Sequence, residues 1–395
     1  MTSRRRHPSS PPPPLEVDDL LSEILLRLTP QPSSLPRVSL VCKRWRRLVS
    51  DPRFLRRFRL HHRRNPPLLG FFEHAFYQLL FVPIMDPPNR VPRARFSLQL
   101  DDGDKARFLV IGCRHGLVLI FHASMDRLLV WDPVTADQHS FSVPQGFDWP
   151  NTPIHGAVIR AAVDAQHFQV VMVGTVQEKQ DAPARASARV YSSVTGTWGN
   201  LISIPLPPKL SGSMIRLPAM LSTGIPGVLV GDSLYWVLSD SLLEFDLDRQ
   251  RLAVIPVPVN MYARGNCHFL VMRADGGELG FLFLSKVSAQ LWKRKTNCDG
   301  VASWVLGRTV EMDKLLSLNS EIERSSLMIL GFAEDNNVVF LWTVIGVFTV
   351  QLESLQFKKH FETDIISRYL PFESVCSAGK SVGGGHDGAE PLHNT

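Results

Sequence analysis

The sequence predicts a two-part α+β chain, with a small N-terminal unit of about three helices and a large all-β domain, a propeller of about six blades. Three observations predict this architecture. Apolar residues recur at helical spacing from residue 18 to about residue 60. From residue 68, short apolar or alternating runs are separated by Gly, Pro, Asp and Asn turns. Within that β-rich part, one strand–turn–strand pattern recurs with a period near 50 residues.

The first helix is predicted from an apolar stripe that spans an arc of about 140°. Asp18 or Asp19 can cap this helix, and Thr29-Pro30 ends it. The stripe is formed by Leu20, Leu21, Ile24, Leu25 and Leu28.

The pattern predicts one second helix, from Ser33 or Ser34 to about Val49, and a third helix capped by Asp51 with Pro52 at its first position. One face of the second helix is apolar and carries Leu35, Val38, Val41, Cys42, Trp45, Leu48 and Val49. Leu26 and Leu40 lie off the main apolar arcs of their helices. Surplus leucines on so small a unit predict a partner that covers them, and the alternative is that the β domain covers them.

The β-rich part contains an imperfect repeat in which a strand ends in an aromatic residue, a polar turn follows, and a second strand runs into Pro. Segments 128–144, 188–207 and 242–258 share this shape, and 289–310 and 346–361 are looser copies. The aromatic anchors are 60, 54, 47 and 56 residues apart, at Trp131, Tyr191, Phe245, Trp292 and Phe348. This period is typical of a kelch-like blade, and residues 68–100 are predicted to supply one more. A non-repetitive β sandwich or barrel is the alternative.

These patterns divide the chain into five segments. We expect a disordered Pro/Arg-rich leader over 1–14, a helical domain over 15–62, a linker over 63–67, the β domain over 68–376 and a disordered tail over 377–395.

Charge is distributed unevenly: residues 1–64 carry 15 Lys/Arg and 5 Asp/Glu, a balance of +10, and the remainder carries 28 against 32, a balance of −4. The five cysteines are widely spaced and form no C-x-x-C pair, which favours reduced thiols and an intracellular location, cytoplasm and/or nucleus. The longest uncharged apolar run, Val338 to Val350, is shorter than the roughly 20 residues that a membrane helix needs, and we expect no membrane partner. The Gly within it predicts two strands around a turn.

No catalytic motif stands out, and we predict that the chain is not an enzyme and needs no cofactor or metal. H-E-x-x-H and Walker A patterns are absent. Cys113 and His115 share one apparent strand, but two ligands do not make a zinc site, and the segment is better explained as a strand followed by a turn. Asp132 and Asp246 follow their aromatic anchors, where a carboxylate typically accepts backbone N–H bonds in a turn.

The helical segment resembles an F-box, through "LEVDDLLSEILLRLTPQP", "VCKRWRRL" and "DPRF". The order Pro14-Leu15 reverses the usual Leu-Pro start, and Thr29 stands where Pro is common. The β-rich remainder is similar, in texture and position, to the F-box-associated regions of large plant families, the grasses in particular.

The resemblance implies the substrate-receptor subunit of an SCF-type E3 ubiquitin ligase. Such a protein docks on a Skp-type adaptor, and through it on a cullin and a RING subunit, and its β domain recruits an unknown target protein. The apolar residues are expected to supply most of the affinity, since a surface charge pair is worth under about 1 kcal/mol and a buried apolar side chain about 1.5–3 kcal/mol. We expect adaptor contacts from Leu15, Leu20, Ile24, Leu25, Leu28, Leu40, Val41, Cys42, Lys43 and Trp45.

Two other functions are open to this sequence. The arginine-rich helices could bind nucleic acid or another partner outside a ligase, although Trp45, Phe54 and Phe58 belong to apolar stripes and not to a stacking surface. A propeller enzyme would need converging acids or metal ligands, and none is evident.

Overall fold

The structure is a computed structural model that describes residues 18–75, 78–98, 108–147, 154–160, 167–176, 184–207, 226–238, 241–258, 267–274 and 276–376. Four helices form the N-terminal unit: α1 (Asp18–Leu26), α2 (Ser34–Ser39), α3 (Lys43–Val49) and α4 (Pro52–His61). Two short helices, α5 (Met312–Leu316) and α6 (Glu321–Ser325), lie in a later connection between strands. None of the helices in these ranges is both long and apolar enough to span a membrane.

The predicted second helix is divided into two, so the unit has four helices over residues 18–61 instead of about three. Cys42 is extended (φ −161°, ψ 169°), and its Sγ accepts a bond from the backbone N–H of Trp45 at 3.5 Å. Arg46 Nε donates to the carbonyl oxygen of Ser39 at 3.2 Å, which satisfies a backbone group at the end of α2. The break re-aims α3 so that Val49 joins the helical core, and this packing outweighs local helix propensity.

The start of α4 follows the sequence prediction. Asp51 is the N-cap and its Oδ1 accepts bonds from the backbone N–H groups of Arg53 at 2.6 Å and Phe54 at 3.4 Å. Pro52 follows at the first helical position, where its missing N–H costs nothing.

The helical core is shared with the β domain. Val375, which follows the last strand of the chain, packs among the buried side chains of the four helices, Leu21, Leu25, Leu26, Leu35, Val38, Val49, Phe54 and Phe58. The expectation that Leu26 is surplus was wrong, because it is 5% exposed within this core. Leu40 remains exposed. The β domain therefore covers one side of the helical unit and leaves another side open.

Six antiparallel sheets make up the β domain, which confirms the predicted six-bladed propeller. Blade 1 contains β1 (Leu68–Ala75), β2 (Gln78–Pro83) and β24 (Tyr369–Glu373). Blade 2 contains β3 (Phe108–Arg114), β4 (Leu117–His122), β5 (Arg127–Trp131) and β6 (Gln138–Ser142). Blade 3 contains β7 (His155–Arg160), β8 (Phe168–Val176), β9 (Arg185–Ser192), β10 (Thr197–Trp198) and β11 (Ile202–Pro205).

The remaining blades have four strands each. Blade 4 contains β12 (Val228–Val230), β13 (Ser233–Val237), β14 (Ser241–Asp246) and β15 (Arg251–Pro256). Blade 5 contains β16 (Cys267–Arg273), β17 (Leu279–Ser285), β18 (Ser288–Thr296) and β19 (Ala302–Glu311). Blade 6 contains β20 (Met328–Ala333), β21 (Val338–Thr343), β22 (Gly346–Gln351) and β23 (Phe357–Phe361). The two strands predicted within 338–350 are β21 and β22.

The ring closes through strands from opposite ends of the domain. The segment 68–100 supplies β1 and β2 to blade 1, and the C-terminal strand β24 pairs with β1 to complete it. Phe71 of β1 stacks on Tyr369 of β24 with ring centroids 3.8 Å apart. At the inner edge β24 contacts both β20 and β3, so the first and last blades are held together. Gly331 of β20 is required there, since a Cβ would collide with the carbonyl oxygen of Tyr369.

The five predicted aromatic anchors occupy one structural position. Each lies on the third strand of its blade, counted outward from the centre: Trp131 on β5, Tyr191 on β9, Phe245 on β14, Trp292 on β18 and Phe348 on β22. The carboxylates that follow act in turns as predicted. Asp132 Oδ1 accepts from the N–H of Val134 at 2.9 Å, and Asp246 Oδ1 accepts from the N–H of Arg249 at 2.8 Å.

Candidate protein-docking site

Four apolar side chains of the helical unit are exposed, and together we call them the apolar docking surface. Leu20 is 48% exposed and Ile24 is 41% exposed, both on α1. Leu40 is 76% exposed and Val41 is 61% exposed, both in the link between α2 and α3. Large aliphatic side chains at these exposures, on a unit of this size, are typical of a surface that a partner covers.

Helix α1 has apolar residues on two sides, one buried and one exposed. Leu21 and Leu25 are four residues apart and face the core, while Leu20 and Ile24 form a second stripe that faces outward. The buried face of α1 is also wide, because Leu26 packs in the core as well. A helix of only nine residues that is apolar on two sides needs contacts on both.

Polar contacts hold α1 against α3 and α4. Arg44 of α3 pairs with Asp18 at 2.7 Å, and Arg57 of α4 donates to Ser22 Oγ at 3.3 Å and pairs with Glu23. These pairs are solvent-exposed and each contributes less than about 1 kcal/mol, so their main effect is to orient α1. The apolar docking surface therefore lies on a supported helix and not on a loose segment.

The predicted adaptor residues fall into two groups. Cys42 and Lys43 are exposed together with the four residues of the apolar docking surface. Leu25 is buried, and Leu28 and Trp45 are partly buried against the helical core, where they support the surface from beneath. Leu15 lies outside the described residues. Sequence periodicity could not separate the two groups, because exposure depends on how the helices pack.

The helical unit is fixed to one end of the propeller. The N–H of Ser33 donates to Asn89 Oδ1 at 3.2 Å, and the side-chain amide of Asn336 donates to the carbonyl oxygen of Pro66 at 3.0 Å. The N–H of Ser374 donates to the carbonyl oxygen of Pro67 at 3.2 Å. The predicted linker is therefore bonded to the propeller at two consecutive prolines.

Charged side chains line the centre of the propeller at this same end. Arg114 pairs with Glu334 at 2.5 Å, and the N–H of Leu229 donates to Glu334 Oε2 at 3.1 Å. Glu373 accepts bonds from the backbone N–H of Asn336 at 2.8 Å and from its side-chain amide at 2.7 Å. Burial raises the pKa of Glu373 to about 8, with the charge of Asp335 adding to the effect. No local pattern in the sequence predicts this network, since its members are far apart in the chain.

The charged groups of this network bond within the protein. Their arrangement does not resemble the surroundings of a catalytic nucleophile or a metal site. Within the described ranges, no group of three or more His, Cys, Asp or Glu side chains could hold a metal ion. Cys113 lies in β3, one residue before the strand ends. His115 lies in the following turn at φ 52°, as the strand–turn interpretation predicted. Burial lowers the pKa of His115 to about 3 and, together with neighbouring arginine charges, keeps its ring neutral at pH 7.

Two family models match the chain. Residues 109–372, more than half of the chain, match the family described as "F-box protein AT5G49610-like, beta-propeller". Residues 18–61 match the model described as "F-box-like". Among curated proteins, none matches the sequence.

Solved structures resemble the chain only distantly. Apo AztD from Citrobacter koseri is 10% identical, with 67% of this chain and 75% of that chain covered and a TM-score of 0.32. The WD40 domain of SCAP from fission yeast is 10% identical, with 75% and 87% covered and a TM-score of 0.28. Likenesses at this level carry no information on function.

Proposed function

Because the chain belongs to the F-box protein AT5G49610-like β-propeller family, we propose that it is the substrate-receptor subunit of an SCF-type E3 ubiquitin ligase. Proteins that combine an F-box with a β-propeller are typically non-catalytic adaptors. In this proposal residues 15–62 dock on a Skp-type adaptor, and residues 68–376 bind the target. The repeat period and the plant-type family further support kelch-like blades and an origin in the grasses.

The observation that carries the proposal is the apolar docking surface. Leu20, Ile24, Leu40 and Val41 remain exposed although the helical unit packs on the propeller, and they belong to the segment that matches the F-box-like model. Burying each of them against a partner would contribute about 1.5–3 kcal/mol before the costs of association. Cys42 and Lys43, exposed beside Val41, would lie in the same contact.

In this role the chain makes no covalent bond itself. It would bring a target close to the ubiquitin-conjugating enzyme that the cullin and RING subunits hold, and thereby raise the effective concentration of the target's lysines. The bonds that anchor Pro66 and Pro67 to the propeller support this mechanism, because they fix the docking side relative to the propeller.

We propose that targets bind the propeller end away from the helical unit. The inner strands β3 and β24 end beside the linker and begin at the opposite end of the propeller. The connections from each blade to the inner strand of the next blade therefore reach that opposite end. One of them carries α5 and α6, where Ile322 is exposed, and the N–H of the exposed Val344 donates to Ser326 Oγ at 3.1 Å beside α6. Exposed Ile365 and Ile366 lie in another of these connections. Such apolar groups on a propeller end are suited to a protein target.

Affinity purification from cells with the proteasome blocked tests the proposal. The wild-type chain should recover the Skp-type adaptor, cullin and RING subunit, and Val41→Asp should lose all three. Val301→Asp is the matched control, because Val301 is 60% exposed, on the propeller. Equal recovery of the three subunits by Val41→Asp and Val301→Asp would show that this surface does not dock the adaptor.

A further inference from the structure

A cleft of about 580 Å³ lies where the helical unit meets the propeller. Helix α4 forms one wall, a turn of blade 2 and the strand ends at Arg160 and Phe168 of blade 3 form the other, and the segment after β24 forms part of the floor. We call it the joint cleft. Its volume is in the range of small-molecule sites in proteins, which is roughly 300–1,000 Å³.

Both walls contribute apolar surface to the joint cleft. Leu60 of α4 is exposed to it, and Val134 and Phe168 face it from the propeller. The ring of His139 packs edge-on against Phe168 with centroids 5.4 Å apart, and its Nε2 is bonded to the hydroxyl of Tyr191 at 2.9 Å. These aromatic groups are therefore held in place, and they offer a flat apolar site for a ligand.

Arginines from α4 line the same cleft. Arg56 and Arg59 are three residues apart on one side of α4, and Arg63 lies in the turn that follows the helix. Within the described residues, neither Arg56 nor Arg59 has a hydrogen-bond acceptor, and Arg59 Nε is buried without one. Guanidinium groups that have no acceptor within the protein favour an anion, which forms strong charge-assisted hydrogen bonds with them.

The carboxylates of the cleft already have partners within the protein. Asp132 pairs with Arg160 and accepts from the N–H of Val134, and Asp137 accepts from the hydroxyl of Thr135 at 2.7 Å. Glu373 accepts from Asn336 as described above. Arg56 and Arg59 are therefore not neutralised by these acids, which favours an anionic ligand in the cleft.

We propose that the joint cleft binds a small amphipathic organic anion, with an aromatic or aliphatic body against Leu60, Val134 and Phe168 and a carboxylate or sulfonate on Arg56 and Arg59. This site goes beyond the proposed ligase function and does not depend on it. A ligand there would contact α4 and blades 2 and 3 together, so it would stabilise the docked arrangement of the helical unit on the propeller.

Two probes that differ in one charged group test this proposal on the full-length chain. The first is 8-anilinonaphthalene-1-sulfonate, and the second is N-phenyl-1-naphthylamine, which has the same rings and no sulfonate. Fluorescence titration should show one saturable site per chain for each. Arg56→Gln/Arg59→Gln should weaken the Kd of the sulfonate by about tenfold or more and that of the neutral probe by less than about twofold.

Two further variants control for non-specific effects. Arg127→Gln removes an exposed arginine that bonds to Ser140 on blade 2, and it should leave both affinities within about twofold. Leu60→Asp should place a carboxylate on the apolar wall and weaken the binding of both probes by about tenfold or more. If the double variant does not fold, as judged by circular dichroism, Arg56→Gln alone takes its place, since that side chain is exposed. Unchanged sulfonate affinity in the arginine variant, or unchanged affinity of both probes in Leu60→Asp, would overturn the proposal.

Discussion

The guanidinium of Arg114 meets the carboxylate of Glu334 across the centre of the propeller, with Nη2 and Oε1 2.5 Å apart. Arg114 ends β3 in blade 2, and Glu334 follows β20 in blade 6. Arg114 Nη2 also donates to the carbonyl oxygen of Gly227, and Glu334 Oε2 accepts from the N–H of Leu229 in blade 4. This ion pair therefore connects three blades that are not neighbours in the ring.

Removing the cation from this pair should destabilise the propeller. Arg114→Met leaves Glu334 largely buried without its charge partner, and we expect a loss of roughly 3–5 kcal/mol in the free energy of unfolding. The double variant Arg114→Met/Glu334→Gln removes both charges and should recover at least half of this loss. Guanidinium denaturation of the wild type, the single variant and the double variant measures the free energy of unfolding of each. Losses that simply add in the double variant would show that the two side chains are not coupled.

Removal of the C-terminal strand should open the ring. A chain that ends after Ser367 lacks β24 and with it the buried side chains of Tyr369, Leu370 and Phe372, which are worth roughly 5 kcal/mol or more together. That is comparable to the stability of a whole domain, so cooperative thermal unfolding should disappear. A chain that ends after Cys376 keeps β24 and is the matched control. A cooperative transition in the shorter chain would contradict closure by β24.

Acid should destabilise the propeller through His155. Burial, and to a lesser extent the charge of Arg368, lowers the pKa of His155 to about 4 in the folded chain. Because the unfolded histidine takes up its proton near pH 6.5, the stability that depends on neutral His155 is present above that pH and is lost as the pH falls toward 4. From pH 7 to pH 5 the loss from this residue should be about 2 kcal/mol.

The variant His155→Gln isolates this contribution, because the other titrating groups stay the same in both proteins. Denaturation midpoints at pH 5 and pH 7 should differ less in the variant than in the wild type. Equal pH dependence of the two proteins would mean that His155 is protonated without cost.

Adaptor affinity should depend on Trp45 more than on the neighbouring arginines. Trp45 packs against the helical core beneath the apolar docking surface, and Trp45→Ala should weaken the Kd for the Skp-type adaptor by roughly 30- to 150-fold. Arg47 is exposed, and Arg47→Ala should cost less than about 1 kcal/mol. Surface plasmon resonance with immobilised adaptor measures both. The reverse order of effects would indicate that charge, and not the apolar surface, dominates the contact.

Local patterns in the sequence predict much of this fold. The cap at Asp51 follows from the Asp51-Pro52 pair, and the apolar residues of α1 follow from helical spacing, although spacing does not tell which of them are buried. The aromatic anchors predict the third strand of five blades, because each blade repeats the same strand–turn–strand unit. These features depend on neighbouring residues, which is why periodicity reveals them.

Features that depend on distant residues could not be predicted. Strand β24 contains Pro371, which disfavours a strand assignment, and it is tolerated at the inner edge of blade 1 where a ladder bond is dispensable. Arg114 and Glu334 are 220 residues apart in the chain. The break between α2 and α3 contains no Gly or Pro, and only the packing of α3 on the core explains it. The exposure of Leu40 and Val41 in the candidate site depends on that break.

The affinity of the full-length chain for a purified Skp-type adaptor, measured by isothermal titration calorimetry, tests the central claim most directly. Ile24→Asp places a charge in the apolar docking surface, and Leu80→Asp makes the same change on β2 at a position of matched exposure, 42% against 41%. We expect saturable binding by the wild type, a loss of at least about 100-fold for Ile24→Asp, and a change within about twofold for Leu80→Asp. Absence of binding by the wild type, or equal affinities of the two variants, would contradict the account.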